Sequence, residues 1–187
     1  MPILARESDL YPEDLLDRPE LGRESQVHWW ALYTLARHEK ELTRRLRGLE
    51  IAFYCPLIGR RTASPSGRTR VAHVPLFAGY VFMYGGGDAR YRAMTTNCIS
   101  RWLPVGDGQE LTHDLRQVRR LIDSGAPLTP EARLDPGARV RVRCGPLAGM
   151  EGKVIRRSGE VRLLVAVNFL KQGASLLLED HQVEPLD

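Results

Sequence analysis

The side chains that most often do covalent or metal chemistry are few and scattered. His28, His38, His73, His113 and His181 stand far apart, with no acidic or cysteine neighbour at the spacing that a metal site or a general base needs. Cys55, Cys98 and Cys144 are odd in number, widely spaced and form no CxxC pair, so neither a disulfide framework nor a zinc site is implied. They read as small, mostly buried hydrophobes. No GxSxG, HExxH, Walker or GxGxxG pattern occurs. The expectation is a binding protein and not an enzyme, with no catalytic residue, no metal and no cofactor.

Binding chemistry is better represented. Arg37, Lys40, Arg44 and Arg47 repeat at three, four and three, one basic stripe on a helix. The run Pro75-Leu76-Phe77-Ala78-Gly79-Tyr80-Val81-Phe82 concentrates aromatic side chains of the kind that dominate protein interfaces. Charge is unevenly spread. Seven acidic side chains against three arginines give residues 1–26 a net charge of −4, which leaves +8 on the rest of a chain whose total is +4. A basic body fits a polyanionic partner as well as plain solubility. No apolar run approaches the roughly 18 residues that span a bilayer. The N-terminus lacks a basic segment followed by an apolar core, so no signal peptide, no membrane and a cytoplasmic location are expected.

These residues need elements to carry them. Residues 1–26 are acidic, contain Pro2, Pro12 and Pro19 and show little periodicity, which predicts a disordered tail. One expectation is that this tail folds back on the basic helix and competes with nucleic acid. His28 to Leu35 is dense in aromatic and aliphatic residues, as a strand is. Leu42, Leu46 and Leu49 give the following helix its buried stripe. Short strands follow at 52–57, 71–74 and 79–83, with a basic loop over 59–70 carrying Arg60, Arg61, Arg68 and Arg70. A short helix over 89–94, an edge strand over 100–105 and a helix over 112–124 complete the order βαβββαβα. That order predicts an α+β sandwich on an antiparallel sheet, residues 27–125. Pro127 and Pro130, with Pro136 just beyond, mark residues 126–135 as an extended linker.

The last segment, 136–187, has its own signature. Val140 and Val142 alternate with Arg139, Arg141 and Arg143, the period of a half-buried strand. Gly145-Pro146-Leu147-Ala148-Gly149-Met150-Glu151-Gly152 then places glycines where a tight turn needs them. This strand and turn resemble the KOW motif of transcription elongation and ribosomal proteins, which implies a small SH3-like β-barrel. The earlier stretches HWWALYTLARHEKEL, FYCPL, VPLFAGYVFM and TTNCISRWLPVG resemble the N-terminal domain of NusG-type transcription factors. Together the two resemblances cover about residues 28–186. The N-terminal pattern looks more like specialised paralogs of the UpxY and RfaH type, which antiterminate long operons.

The resemblance implies a function. The N-terminal domain would bind the clamp helices of the largest RNA polymerase subunit and reach the opposite pincer, suppressing pausing and termination. Tyr33, Phe77, Tyr80 and Phe82 match the polymerase-binding cavity. Arg37, His38, Thr96 and Asn97 match the region that meets non-template DNA. Phe169, Leu170 and Lys171 match the partner-facing loop of the barrel, whose partner would be a small-subunit ribosomal protein or Rho. Many general members carry an aromatic where this chain has Leu170, with Phe169 one position earlier, and such a shift turns a side chain to the other face. A monomer is expected. Refolding of the barrel into a helical hairpin is not, since Gly145, Pro146, Gly149, Gly152, Gly159 and Gly173 oppose helix. The other reading is a ribosome-associated, RNA-binding KOW protein that does not bind polymerase.

Overall fold

The structure is a computed structural model that describes residues 7–23, 25–63, 67, 69–133, 137–178 and 183–186. Residues 1–6 and Glu24 of the expected tail, Arg68, the side chain of Arg70, residues 134–136 and His181 lie outside the described set. The chain divides into two compact units, Met1–Gly108 and Gln109–Asp187.

The first unit is built on a five-stranded antiparallel sheet. Its strands are β1 (Leu10–Tyr11), β2 (His28–Thr34), β3 (Ala52–Tyr54), β6 (Tyr80–Gly85) and β7 (Ile99–Pro104), in the spatial order β1-β3-β6-β2-β7. Strands β4 (Leu57–Ala63) and β5 (Thr69–Pro75) form a separate two-stranded hairpin. The stretch expected as a basic loop over 59–70 is therefore largely strand. Alternation along β2 and β6 divides the sheet into two faces. On one, Leu32, Val81, Met83 and Phe53 join Leu42 and Leu46 of helix α1 (Glu39–Gly48) and Ala93 of helix α2 (Gly87–Met94) in one buried cluster. On the other lie Trp29, Ala31 and Tyr33 of β2 beside Tyr80, Phe82 and Tyr84 of β6. Trp29 is fully buried and Trp30 is half-buried, one core and one flank as their adjacent positions require.

The N-terminal segment is a correction. In place of a disordered tail, β1 pairs with β3, and Leu10, Leu15, Leu16 and Leu21 are buried. The Gly22 N–H donates to the Tyr84 hydroxyl at 3.3 Å, which ties the segment to the sheet. Its leucines bury enough apolar area to offset the cost of ordering, although they follow no helical or strand period.

The second unit contains helix α3 (Gly108–Asp123, the first residue apart) and six antiparallel strands. These are β8 (Thr129–Glu131), β9 (Ala138–Val142), β10 (Glu151–Arg157), β11 (Glu160–Val167), β12 (Gln172–Leu177) and β13 (Val183–Pro185), in the order β13-β9-β10-β11-β12-β8. The end strands do not pair with each other among the described residues, so the sheet is open where a closed barrel was expected. Two boundaries also move. Helix α3 groups with the second unit instead of ending the first, and the expected linker supplies β8, paired with β12. Ser175 Oγ donates to buried Glu131 at 2.6 Å, Arg157 pairs with the same carboxylate, and Arg162 binds both Ser175 and Thr129. Pro130 is tolerated because β8 is an edge strand. Gly152 is required at a close strand crossing, where a Cβ would meet the Leu164 carbonyl at 2.6 Å.

An integrated N-terminal segment makes Leu16→Ala costly. The expected loss is about 2–5 kcal/mol of unfolding free energy in a urea titration. A disordered tail would give no loss.

Candidate functional site

Register places the aromatic pair. Strand β2 sits between β6 and β7, with Tyr33 opposite Tyr80 on one side and Arg101 on the other. The Tyr33 and Tyr80 rings lie 5.2 Å apart at 58°, and the Arg101 guanidinium lies 6.0 Å from the Tyr33 ring centre. Tyr33 is 38% exposed and Tyr80 is half-buried. Phe77 and Phe82, expected on the same surface, are buried with rings edge-to-face at 6.1 Å. The two tyrosines keep part of their ring area in solvent, while the two phenylalanines pack inside.

The turn before β6 fixes this geometry. Gly79 has φ +84°, and a Cβ there would come within 3.0 Å of the Tyr33 ring. Its carbonyl accepts from the Thr34 N–H at 2.8 Å, and its own N–H donates to Glu39 Oε1, at the start of α1, at 2.7 Å. The ladder between β2 and β7 shifts register between Tyr33 and Thr34, a bulge that ends regular pairing beside the exposed pair. Sequence reasoning missed Arg101, Glu39 and Gly79. The glycine in Phe-Ala-Gly-Tyr was the available signal.

A second group gathers on two neighbouring turns. The Leu35 N–H donates to the Cys98 carbonyl at 2.9 Å, which brings the turn of Arg37 and His38 beside that of Thr96 and Asn97. Arg45 reaches across from α1 and donates to the Thr96 carbonyl. Arg37 and Asn97 both hold left-handed backbone, φ +63° and +54°, and both are exposed, as is His38. Thr96 differs from its neighbours: it is buried, and its hydroxyl donates to the Ala93 carbonyl at 2.7 Å.

Two further members of the basic stripe, Arg44 and Arg47, are engaged. Arg44 donates twice to Glu7, at 2.7 and 3.1 Å, and holds that carboxyl below its ordinary range. Arg47 lies over the Tyr11 and Phe53 rings and reaches the carbonyls of Ser8 and Leu10. The acidic segment does fold back on the helix, and Arg37 is left without an ion pair among the described residues.

In the second unit, Asn168 to Leu170 form one 3-10 turn followed by Lys171 at φ +54°. Phe169 is 37% exposed, Lys171 is exposed and Leu170 is half-buried. Elsewhere, Cys55 and Cys98 are buried, and burial pushes the Cys55 thiol up, whereas Cys144 is exposed. Among the described residues no group of three or more His, Cys, Asp or Glu side chains is placed to hold a metal ion, and no helix is long and apolar enough to cross a membrane.

Residues 27–129, more than half of the chain, match the family described as "Transcription termination factor nusG". The chain belongs to the NusG family. No curated protein matches it. Among solved structures, the crystal structure of the MjSpt4:Spt5 complex in conformation B is similar at 17% identity and a TM-score of 0.30, over 85% of this chain and 97% of that one. A role in transcription follows from the family. In this NusG-family chain the matched region contains both surface groups of the first unit and runs on through α3 into β8.

Gly79→Ala should destabilise more than Gly125→Ala. Both residues have positive φ, but the space around Gly125 is open. The control should lose about 1–2 kcal/mol from backbone strain alone, and Gly79→Ala should lose more and displace Tyr33, read by urea unfolding and by the Tyr33 ring resonances.

Proposed function

We propose that the chain is a transcription elongation and antitermination factor, that it binds the clamp helices of the largest RNA polymerase subunit through Tyr33 and Tyr80, and that it is not an enzyme. The observation that carries this reading is the exposed Tyr33–Tyr80 pair, braced by Arg101 and by the Gly79 turn. Rigid aromatic side chains bury large area at low entropic cost, and a helical tip is a natural ligand for such a surface. Phe77 and Phe82 support the pair from the interior. On the same reading the N-terminal unit reaches the opposite pincer of the enzyme and favours its closed clamp. Pausing and termination then fall.

Arg37, His38 and Asn97 are assigned to non-template DNA, with Thr96 holding their turn from within. The second unit is read as the KOW domain, recruiting a small-subunit ribosomal protein or Rho through Phe169, Leu170 and Lys171. The N-terminal motif pattern favours an operon-specific paralog of the UpxY and RfaH type, acting in the cytoplasm as a monomer. Engagement of Arg44 and Arg47 by the N-terminal segment supports confining DNA contact to the turns.

In binding to core RNA polymerase, Tyr33→Ala and Tyr80→Ala should each weaken the full chain by about 2 kcal/mol or more, roughly thirtyfold or greater. The loss in unfolding free energy should be near 1 kcal/mol. Full affinity in both folded variants would move the assignment to the RNA-binding reading. For DNA, Arg37→Ala should reduce the slope of log affinity against log salt by about 1, and Arg44→Ala should leave it unchanged.

A further inference from the structure

Helix α3 and the Asn168 turn are joined by side chains that the reading above does not use. The Asn168 N–H donates to Asp114 Oδ2 at 2.8 Å, and Asn168 Nδ2 donates to Glu110 Oε1 at 3.1 Å. Further along the helix, Gln117 Nε2 donates to the Glu151 carbonyl at 3.2 Å and Arg120 to the Ala148 carbonyl at 2.9 Å. Residues 110, 114, 117 and 121 follow the four-three-four spacing of one helical row. Asp114, Gln117 and Leu121 of that row are buried. The helix is thus seated on the second unit by polar contacts at three places and by an apolar stripe.

The contact at Asn168 is directed. A 3-10 turn leaves its first N–H groups without internal partners, and the acceptor for Asn168 comes from another element. With its N–H and its side-chain amide both held, the start of the turn is fixed, and Phe169 and Lys171 follow in their exposed positions. Beside the contact lies a cleft of about 210 Å³, lined by Glu110, His113 and Asp114 of the helix and by Arg139, Glu151 and Lys153 of β9 and β10.

We propose that α3 is a clasp on the Asn168–Lys171 turn, and that Asp114 and Glu110 are positioning residues for the Phe169 surface through which the second unit takes its partner. This rests on the reading of that surface as a partner site, and the partner engages the clasped shape.

The clasp is sensitive to pH. Burial raises the Asp114 carboxyl to about 6, with the Asn168 N–H and His113 opposing and Glu110 adding to the rise. Arg139, Glu151 and Lys153 face the same cleft, and Glu151 is held below its ordinary range by its bond to Arg141. The Asn168 bond favours the charged carboxylate and burial favours the neutral one; burial is the larger, so lifting α3 and returning Asp114 to water is disfavoured while the carboxyl is neutral. That stabilisation is complete below the ordinary value of 3.8 and is lost as pH rises through 6.

Amide exchange at Asn168, followed by NMR in the full chain and corrected for intrinsic rates, tests the clasp without any partner. The opening constant should rise at least fivefold from pH 4 to pH 7. Asp114→Asn keeps an acceptor oxygen and cannot titrate, so its profile should be flat. Asp114→Ala should lose Asn168 protection at every pH while the β10 and β11 amides stay protected. A wild-type pH dependence in Asp114→Asn, or full protection in Asp114→Ala, overturns the clasp. Binding to an isolated small-subunit ribosomal protein then tests positioning. If Phe169→Ala and Asp114→Ala both weaken binding at least fivefold and Asp114→Asn restores it, the assignment holds. If only Phe169→Ala weakens it, positioning is overturned. If neither does, the partner reading of the surface fails and takes the positioning role with it, while the exchange result still decides the clasp.

Discussion

The register of β2 is the constraint on which the first unit depends. The strand is hydrogen-bonded on both edges, to β6 and to β7, and it is apolar on both faces. A slip of one residue would exchange Leu32 for Ala31 and Tyr33, empty the core against α1 and bury the exposed ring. Leu32 is fully buried while its neighbour Tyr33 is 38% exposed, so the alternation that fills the core also sets out the candidate interface. The bulge after Tyr33 and the Gly79 turn end the regular ladder where the surface begins.

Charge is handled by partition. The acidic N-terminal segment is built into the sheet, and it takes up Arg44 and Arg47 through Glu7 and through its own carbonyls. Exposed pairs of this kind add little stability, and their effect is on where positive potential remains. It remains at Lys40 and on the turn at Arg37, whose backbone is left-handed and whose side chain is exposed. In the second unit the same logic is turned inward. Glu131, Ser175, Arg157 and Arg162 fasten β8 to the open sheet, and Asp114 fastens the Asn168 turn to α3.

Legibility followed periodicity. Apart from the β4–β5 hairpin, expected as a loop over 59–70, the strands and helices from His28 to Ser124 were readable because alternation and the three-four leucine spacing are local signals. The aromatic pair was readable as residue types, but strand alternation alone did not show that Phe77 and Phe82 go inward while Tyr33 and Tyr80 stay out. Leu10, Leu15, Leu16 and Leu21 obey no period, and their acidic, proline-bearing surroundings masked them. Strand β8 was hidden for another reason. Its partner β12 and the Ser175 and Arg162 side chains that hold it lie more than thirty residues away, and Thr-Pro-Glu carries no strand signal of its own. Thr96 and Cys144 show the same limit, since both depend on how two turns fold and not on the residues beside them.

The central claim is that the Tyr33–Tyr80 surface meets RNA polymerase, and site-specific photo-crosslinking tests it most directly. With Tyr80→p-benzoylphenylalanine in the full chain, irradiation with core RNA polymerase should join it to the largest subunit, and peptide mapping should place the link in the clamp helices. Crosslinks elsewhere on the enzyme, or none while the same probe at Phe169 captures a ribosomal protein, would contradict the account.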